Sequence, residues 1–219
     1  EILRCLVGSE MCIRDRVNDY RMLSRISPYW GTGQQLDATY VPFDATLGFK
    51  ASPVSGLWFN IFGGYQIRKH ELFCTLVPAG QFVYTGFVQD KGKIGYGGAE
   101  VKYGYKDYFD ASVKGTYYGW TTDSDDDMIV AMKPEMELNF KVDAKLMDGL
   151  KLRLGYDYVK RKGEDVDPVS NLSVGATYEL LKDISIFVDV NNLLNKQYYY
   201  EGGYPAEKLN VLGGLTFRF

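Results

Sequence analysis

The 219-residue chain is poor in the residues that most active-site chemistry requires. It has one histidine, His70, and three cysteines, Cys5, Cys12 and Cys74. A single imidazole leaves no credible Ser/His/Asp set. His70 has no partner His or Cys beyond Cys74, four residues on, which makes a metal centre improbable. The sequence therefore assigns no catalytic residue, no cofactor-binding residue and no metal ligand, and implies no cofactor. Positive charge is not in excess either, with 25 Lys and Arg against 28 Asp and Glu and a formal net charge of −3. A nucleic-acid partner would normally demand a basic face, so no nucleic-acid partner is expected. No apolar run approaches the roughly 18 residues of a membrane-spanning helix, which excludes helical membrane proteins.

What the chain has in quantity is aromatic residue and glycine: 18 Tyr, 12 Phe, 3 Trp and 24 Gly. Rings favour pleated, half-buried surfaces, and glycine marks turns and bends, so the composition points to strands. The spacing agrees. From Met136 to Leu146 the apolar residues Met136, Leu138, Phe140, Val142, Ala144 and Leu146 alternate with Glu137, Asn139, Lys141, Asp143 and Lys145. A period of two is a strand, because a helix would scatter both sets around its axis. Similar alternation runs through Phe43–Phe49, Leu57–Ile67, Ala99–Tyr105, Ala111–Tyr117, Leu152–Tyr158, Leu172–Leu180, Ile184–Val190 and Leu209–Phe217, with Tyr20–Ile26 a weaker candidate. Trp58 and Phe62 intrude on an otherwise polar face. About ten strands are expected, many near the nine to eleven residues that cross a bilayer at a tilt.

Connections add a second signal. Ser52–Ser55, Lys106-Asp107, Met147–Gly149 and Lys182-Asp183 read as tight turns. Longer polar stretches lie near Gly31–Tyr40, Glu71–Lys91, Thr121–Pro134, Gly163–Ser170 and Glu201–Lys208. Alternation of short and long connections is the habit of up-and-down outer-membrane barrels. The expected fold is all-β: an antiparallel up-and-down transmembrane β-barrel, present in part. Tyr103, Tyr105, Phe109, Tyr156, Tyr158, Tyr178 and Phe217 sit toward strand ends on the apolar face, where rings meet lipid headgroups. On the polar face Lys and Arg balance Asp and Glu, so cross-strand ion pairs and water would satisfy them. The glycines of Gly95-Tyr96-Gly97-Gly98 precede no helix and so form no phosphate loop. They coincide with a change of face that reads as a β-bulge. Asp123–Asp127 and Glu164–Asp167 lack the spacing of a calcium loop and read as solvated loops.

Glu1–Arg16, EILRCLVGSEMCIRDR, differs in style from the rest and resembles the conceptual translation of a transposase-type sequencing adapter. Residues 1–16 are accordingly expected to be non-native and 17–219 to be the protein. Cys74 is then its sole cysteine, with no intrachain disulfide, and the chain is expected to be a C-terminal fragment.

Asp189-Val190-Asn191-Asn192-Leu193-Leu194-Asn195-Lys196-Gln197-Tyr198, Tyr204-Pro205 and the closing Gly213–Phe219 resemble the C-terminus of TonB-dependent outer-membrane receptors, especially those of Bacteroidetes-type bacteria. The resemblance implies a barrel of roughly 22 strands plugged by an N-terminal domain. It also implies the bacterial outer membrane as location, and energised import of a scarce ligand: metal chelate, vitamin or oligosaccharide. The partners it implies are outer-membrane lipid, the barrel-assembly machinery and, through a plug missing from this chain, the energy-coupling inner-membrane complex. Leu215, Phe217 and the terminal Phe219 match the alternating aromatic ending read as the barrel-assembly signal. A ligand-binding residue cannot be named. Two alternatives stay open: a small complete outer-membrane barrel (porin-like, adhesin or enzyme) and a soluble all-β binding module.

Overall fold

A computed structural model describes residues 16–26, 36–124, 130–163, 167–201 and 204–218. Strands β1 (Tyr40–Val54), β2 (Leu57–Ala79), β3 (Phe82–Tyr105), β4 (Phe109–Thr122), β5 (Pro134–Met147), β6 (Leu150–Arg161), β7 (Val169–Leu181) and β8 (Ile184–Asn191) follow one another. A short ribbon, β9 (Tyr199–Glu201) with β10 (Tyr204–Pro205), precedes β11 (Asn210–Phe217). Nine of these form a single sheet in the order β1-β2-β3-β4-β5-β6-β7-β8-β11, every neighbour antiparallel. This is the up-and-down wall that the alternation predicts. No helix among the described residues is long and apolar enough to cross a membrane.

Register carries the alternation across the whole sheet. One row runs Ala51, Phe59, Val101, Val113, Phe140, Tyr156, Leu172. The row beside it runs Lys50, Asn60, Glu100, Lys114, Asn139, Asp157, Asn171 on the opposite face. A slip of one residue in any strand would exchange the two faces, so agreement over seven strands pins the register. The apolar face is bare: Leu47 is 84% exposed, Val211 63% and Phe49 62%. What little core exists lies elsewhere, at the long-connection end.

Four expectations need correction. Tyr20–Ile26 is a helix, α1, because the Asp19 carboxylate accepts the Met22 N–H at 2.8 Å as an N-cap and Leu23 closes the first turn on the Asp19 carbonyl. The sheet accordingly has nine strands, in keeping with the about ten expected. Glu71–Lys91 is no loop: β2 and β3 continue pairing from Glu71↔Asp90 to Ala79↔Phe82 and turn at Gly80, φ 65°. Their period of two is lost because both faces are covered there. Leu72 and Phe87 pack under Leu23 of α1, while Phe73 packs with Val130 and Trp120 on the other side. This hairpin also breaks the strict alternation of short and long connections. Finally, Gly95–Gly98 pairs without a register break. Ile94 is buried and Tyr96 bonds Thr46, so two apolar residues simply face the polar side. The bulge sits instead between Arg68 and Glu71, where His70 takes φ 54°.

Candidate functional site: the two faces and the loop-end rim

The apolar face carries an uncharged band. On β2 it spans Leu57 to Ile67, on β3 Gly95 to Tyr105 and on β5 Met136 to Leu146, eleven positions each. At about 3.3 Å per residue and a tilt near 45°, eleven residues rise about 25 Å, the height of an outer-membrane barrel's apolar band. Charged residues border it at both ends. Toward the tight turns stand Lys106, Asp107, Asp148 and Lys182. Toward the long connections, Lys93 pairs with Asp123 at 3.0 Å and Lys160 with Glu135 at 2.8 Å. Tyr103, Tyr105, Tyr108 and Phe217 mark the turn end, and Tyr65 and Tyr117 the other, all of them exposed; Tyr156, expected toward a strand end, lies mid-band opposite Phe140. The Tyr117 hydroxyl donates to Glu135 at 3.3 Å, turned toward the charged border.

The opposite face is a polar wall with rings laid against it. Lys102 Nζ lies 4.9 Å from the Trp58 ring centroid and also pairs with Glu100 at 2.8 Å, while Lys114 Nζ lies 5.7 Å from that of Phe62. These cation–π contacts explain why two aromatic residues sit among charges. Glycine makes the room. A Cβ at Gly98 would meet the Phe62 ring at 2.8 Å, and one at Gly64 would meet the Tyr96 ring. Arg153 donates to Asp189 at 2.7 Å and Asn139 to Asp157 at 2.7 Å, the cross-strand pairing that balanced charge predicts.

At the long-connection end this wall closes on a buried carboxylate. Glu71 is 2% exposed; Lys133 Nζ lies 2.9 Å away, Arg68 Nη1 3.4 Å and Arg16 Nη2 3.6 Å. Beside it a recess of about 220 Å³ is lined by Arg16, Thr39, Asp44, Gln66, Arg68 and Glu71. Burial pushes the Glu71 carboxyl upward, but Lys133, then Arg68 and Arg16, more than offset it and hold its pKa below the ordinary glutamate value. A depressed carboxylate stabilises the fold above its unfolded pKa, and that contribution is lost as pH falls through the folded value. Between about pH 6 and pH 3, urea midpoints of the intact protein should fall less for Glu71→Gln than for the wild type. Parallel profiles would contradict this.

Sequence reasoning missed Glu71, Lys133 and Arg68. The signal was faint: an acid heading an uncharged run, Leu72–Gln89. His70 serves the bulge, its carbonyl accepting from Thr39 Oγ1 at 2.8 Å and Gln89 Nε2 at 3.1 Å. Asp123 is an ion-pair partner of Lys91 and Lys93. Asp125–Asp127 and Glu164–Val166 lie outside the described residues. Of the three residues assigned to the assembly signal, Leu215 and Phe217 are exposed on the apolar face, and Phe219 lies outside the described residues. So do residues 1–15. Arg16 pairs its backbone with Thr39.

In the Asp189–Tyr198 segment Asn192 and Asn195 are structural. Asn192 is 1% exposed with φ 50°. Its N–H donates to Asn171 Oδ1 at 2.9 Å, and its Nδ2 donates to the Lys196 and Glu207 carbonyls at 2.8 and 3.1 Å. Asn195, also at φ 50°, accepts the Leu209 N–H at 3.3 Å. Together they turn the chain from β8 back into β11.

Solved structures share this wall. The copper transporter OprC superposes with a TM-score of 0.64 at 13% identity, over 94% of this chain and 37% of OprC. The ferric-catecholate import receptor Fiu from E. coli K12 gives 0.62 at 12% identity, over 87% and 30%. The ferripyoverdine receptor of the outer membrane of Pseudomonas aeruginosa, bound to ferripyoverdine, gives 0.59 at 14%, over 84% and 28%. The fold is thus that of the wall of large outer-membrane import barrels, and the chain spans about a third of their length. No family model and no curated protein sequence matches it.

Proposed function

We propose that the chain is the C-terminal barrel portion of a TonB-dependent outer-membrane receptor that imports a scarce ligand, and not an enzyme. The observation that carries this reading is the uncharged band, about 25 Å high, with rings and ion pairs at its borders. A bilayer gives so large a bare apolar face, with that height and those borders, an environment. The open sheet supports a partial wall: among the described strands β1 and β11 each pair on one side only. A small complete barrel would join them, since unpaired backbone groups in lipid cost several kcal/mol each. The polar face then lines the lumen, the tight turns are periplasmic and the long connections external. Copper and ferric chelates are the cargo named for the structural neighbours, so a metal or metal chelate leads vitamins and oligosaccharides as ligand class. At 12–18% identity no ligand residue is carried over.

Determining the gene upstream of Val17 tests the assignment. A plug domain with an energy-coupling segment supports it, and a signal peptide directly before Val17 indicates the small barrel. The same determination checks the adapter origin of residues 1–16 and the Bacteroidetes-type source. Energised uptake would also require the inner-membrane coupling complex as partner.

Leu215, Phe217 and Phe219 then form the signal read by the barrel-assembly machinery. Deleting Phe219 from the full-length receptor should cut assembled yield in cells severalfold and leave spontaneous folding into lipid nearly unchanged. If both yields fall together, Phe219 is only an interfacial anchor, worth at most about 1.5–3 kcal/mol.

A further inference from the structure

Lys133 brings together parts of the chain that sequence leaves far apart. Its Nζ sits 2.9 Å from Glu71 Oε1, 4.8 Å from the Phe73 ring centroid and 5.0 Å from that of Trp120. A carboxylate and two ring faces thus hold one ammonium, itself only 20% exposed. The backbone around it forms a cross-brace. Lys133 N donates to the Val130 carbonyl at 2.9 Å, Lys162 N to the Lys133 carbonyl at 3.1 Å and Gly163 N to the Ala131 carbonyl at 3.1 Å. Trp120 Nε1 donates to the Pro134 carbonyl at 2.9 Å. Val130, 1% exposed, is the only apolar residue of this segment that is fully buried, and it packs on Phe73. Val130–Pro134 therefore lies across the polar face of the wall, tying the β2–β3 hairpin to β4 and to the end of β6.

This attachment is small and charged. One valine and one lysine hold the segment to the hairpin, and the rest of its bonds run toward β4 and β6. The pair is its charged part, and removing one partner of a buried ion pair is strongly destabilising, because the pairing that offset the burial of the other is gone. We propose that Glu71 and Lys133 form a latch that holds Val130–Pro134 down on the polar face of the β2–β3 hairpin, and that breaking it frees this segment while the wall stays intact. Glu71 and Lys133 are positioning residues here. The charged groups facing the pair are Arg68, 3.4 Å from Glu71, and Arg16, 3.6 Å away. Arg68, which lies within residues 17–219, favours ionised Glu71 with or without Arg16, so the carboxylate stays charged when Lys133 leaves.

The test uses the full-length receptor in detergent micelles, with Cys74→Ser as background and Val130→Cys as reporter of the segment. In micelles the reading is independent of membrane orientation and of ligand, so its failure leaves the import assignment standing. The probe is a water-soluble maleimide. With the latch intact, Val130→Cys should react at least about tenfold more slowly than after denaturation. Lys133→Met keeps the apolar stem against the rings, and Glu71→Gln keeps the shape of the acid. Each should raise the labelling rate about tenfold, and the double variant should raise it no further, since both remove one interaction. Glu135→Gln, which breaks the Lys160 pair on the other face, should leave the rate unchanged. Heat-modified gel mobility verifies that every variant retains the barrel. A single variant whose labelling stays slow, or rates that multiply in the double variant, would overturn the latch.

Discussion

Arginine in place of Phe140 or Val174 lowers the free energy of folding into lipid by about 2–4 kcal/mol, because both lie mid-band on the apolar face. Ser173→Arg, one residue away on β7 and on the polar face, stays within about 1 kcal/mol of the wild type. Depth and strand are nearly the same for Ser173 and Val174, so only the environment of each face separates them. Val174 lies opposite Leu154 and Val190 in the register, whereas Ser173 lies opposite Gly155 beside the polar hollow of Lys141, Arg153 and Asp157. If the apolar face meets lipid, the charge has no partner in hydrocarbon, whereas on the polar face it finds water and carboxylates. Urea titrations of the full-length protein in lipid vesicles measure all three. Equal costs at 173 and 174 would remove the lipid assignment of the apolar face.

Asn192→Ala costs about 3 kcal/mol. It removes both side-chain donors from the Lys196 and Glu207 carbonyls and the acceptor from the Lys196 N–H, all in a buried turn. It also leaves an alanine at φ 50°, a conformation that asparagine tolerates better. Asn191→Ala, at the exposed neighbouring position, changes stability by less than about 0.5 kcal/mol. The pair is informative because the two residues are identical and adjacent, so only the turn geometry separates them. Unfolding midpoints decide it, and similar losses at both positions would show that Asn192 does not organise the turn.

Strands whose two faces meet different surroundings were legible from sequence. Met136–Leu146 alternates without exception because one side meets apolar surroundings and the other polar ones, and its register with β4 and β6 follows. Three of the tight turns were legible too, through Asp and Gly, whereas the turn expected at Ser52–Ser55 falls at Ser55-Gly56, with Pro53 inside β1. Legibility ended where both faces are covered. Leu72 and Phe73 are adjacent and both buried, against different partners, and such a strand has no period to read. Ile94 and Tyr96 misled for a related reason: they are apolar residues facing the polar side, where Thr46 and neighbouring rings receive them. The helix at Tyr20 turned on the single capping contact of Asp19. At the rim, Glu71 and Lys133 stand 62 positions apart, and only the fold brings them together. The Asn192 motif pointed to a family before it explained itself, and its hydrogen bonds now give it a structural reason.

Nitroxide labels placed singly from Met136 to Leu146, in the full-length protein reconstituted in lipid, test the central claim most directly. Each label's collision rate is measured with oxygen, which concentrates in hydrocarbon, and with a water-soluble nickel chelate. The account predicts a period of two: oxygen contact highest at positions 138, 140, 142 and 144, nickel contact highest at 139, 141 and 143, and the oxygen maximum near Phe140 at mid-band. Nickel contact that is uniform along the strand, or the opposite phase, would contradict a wall whose apolar face meets lipid.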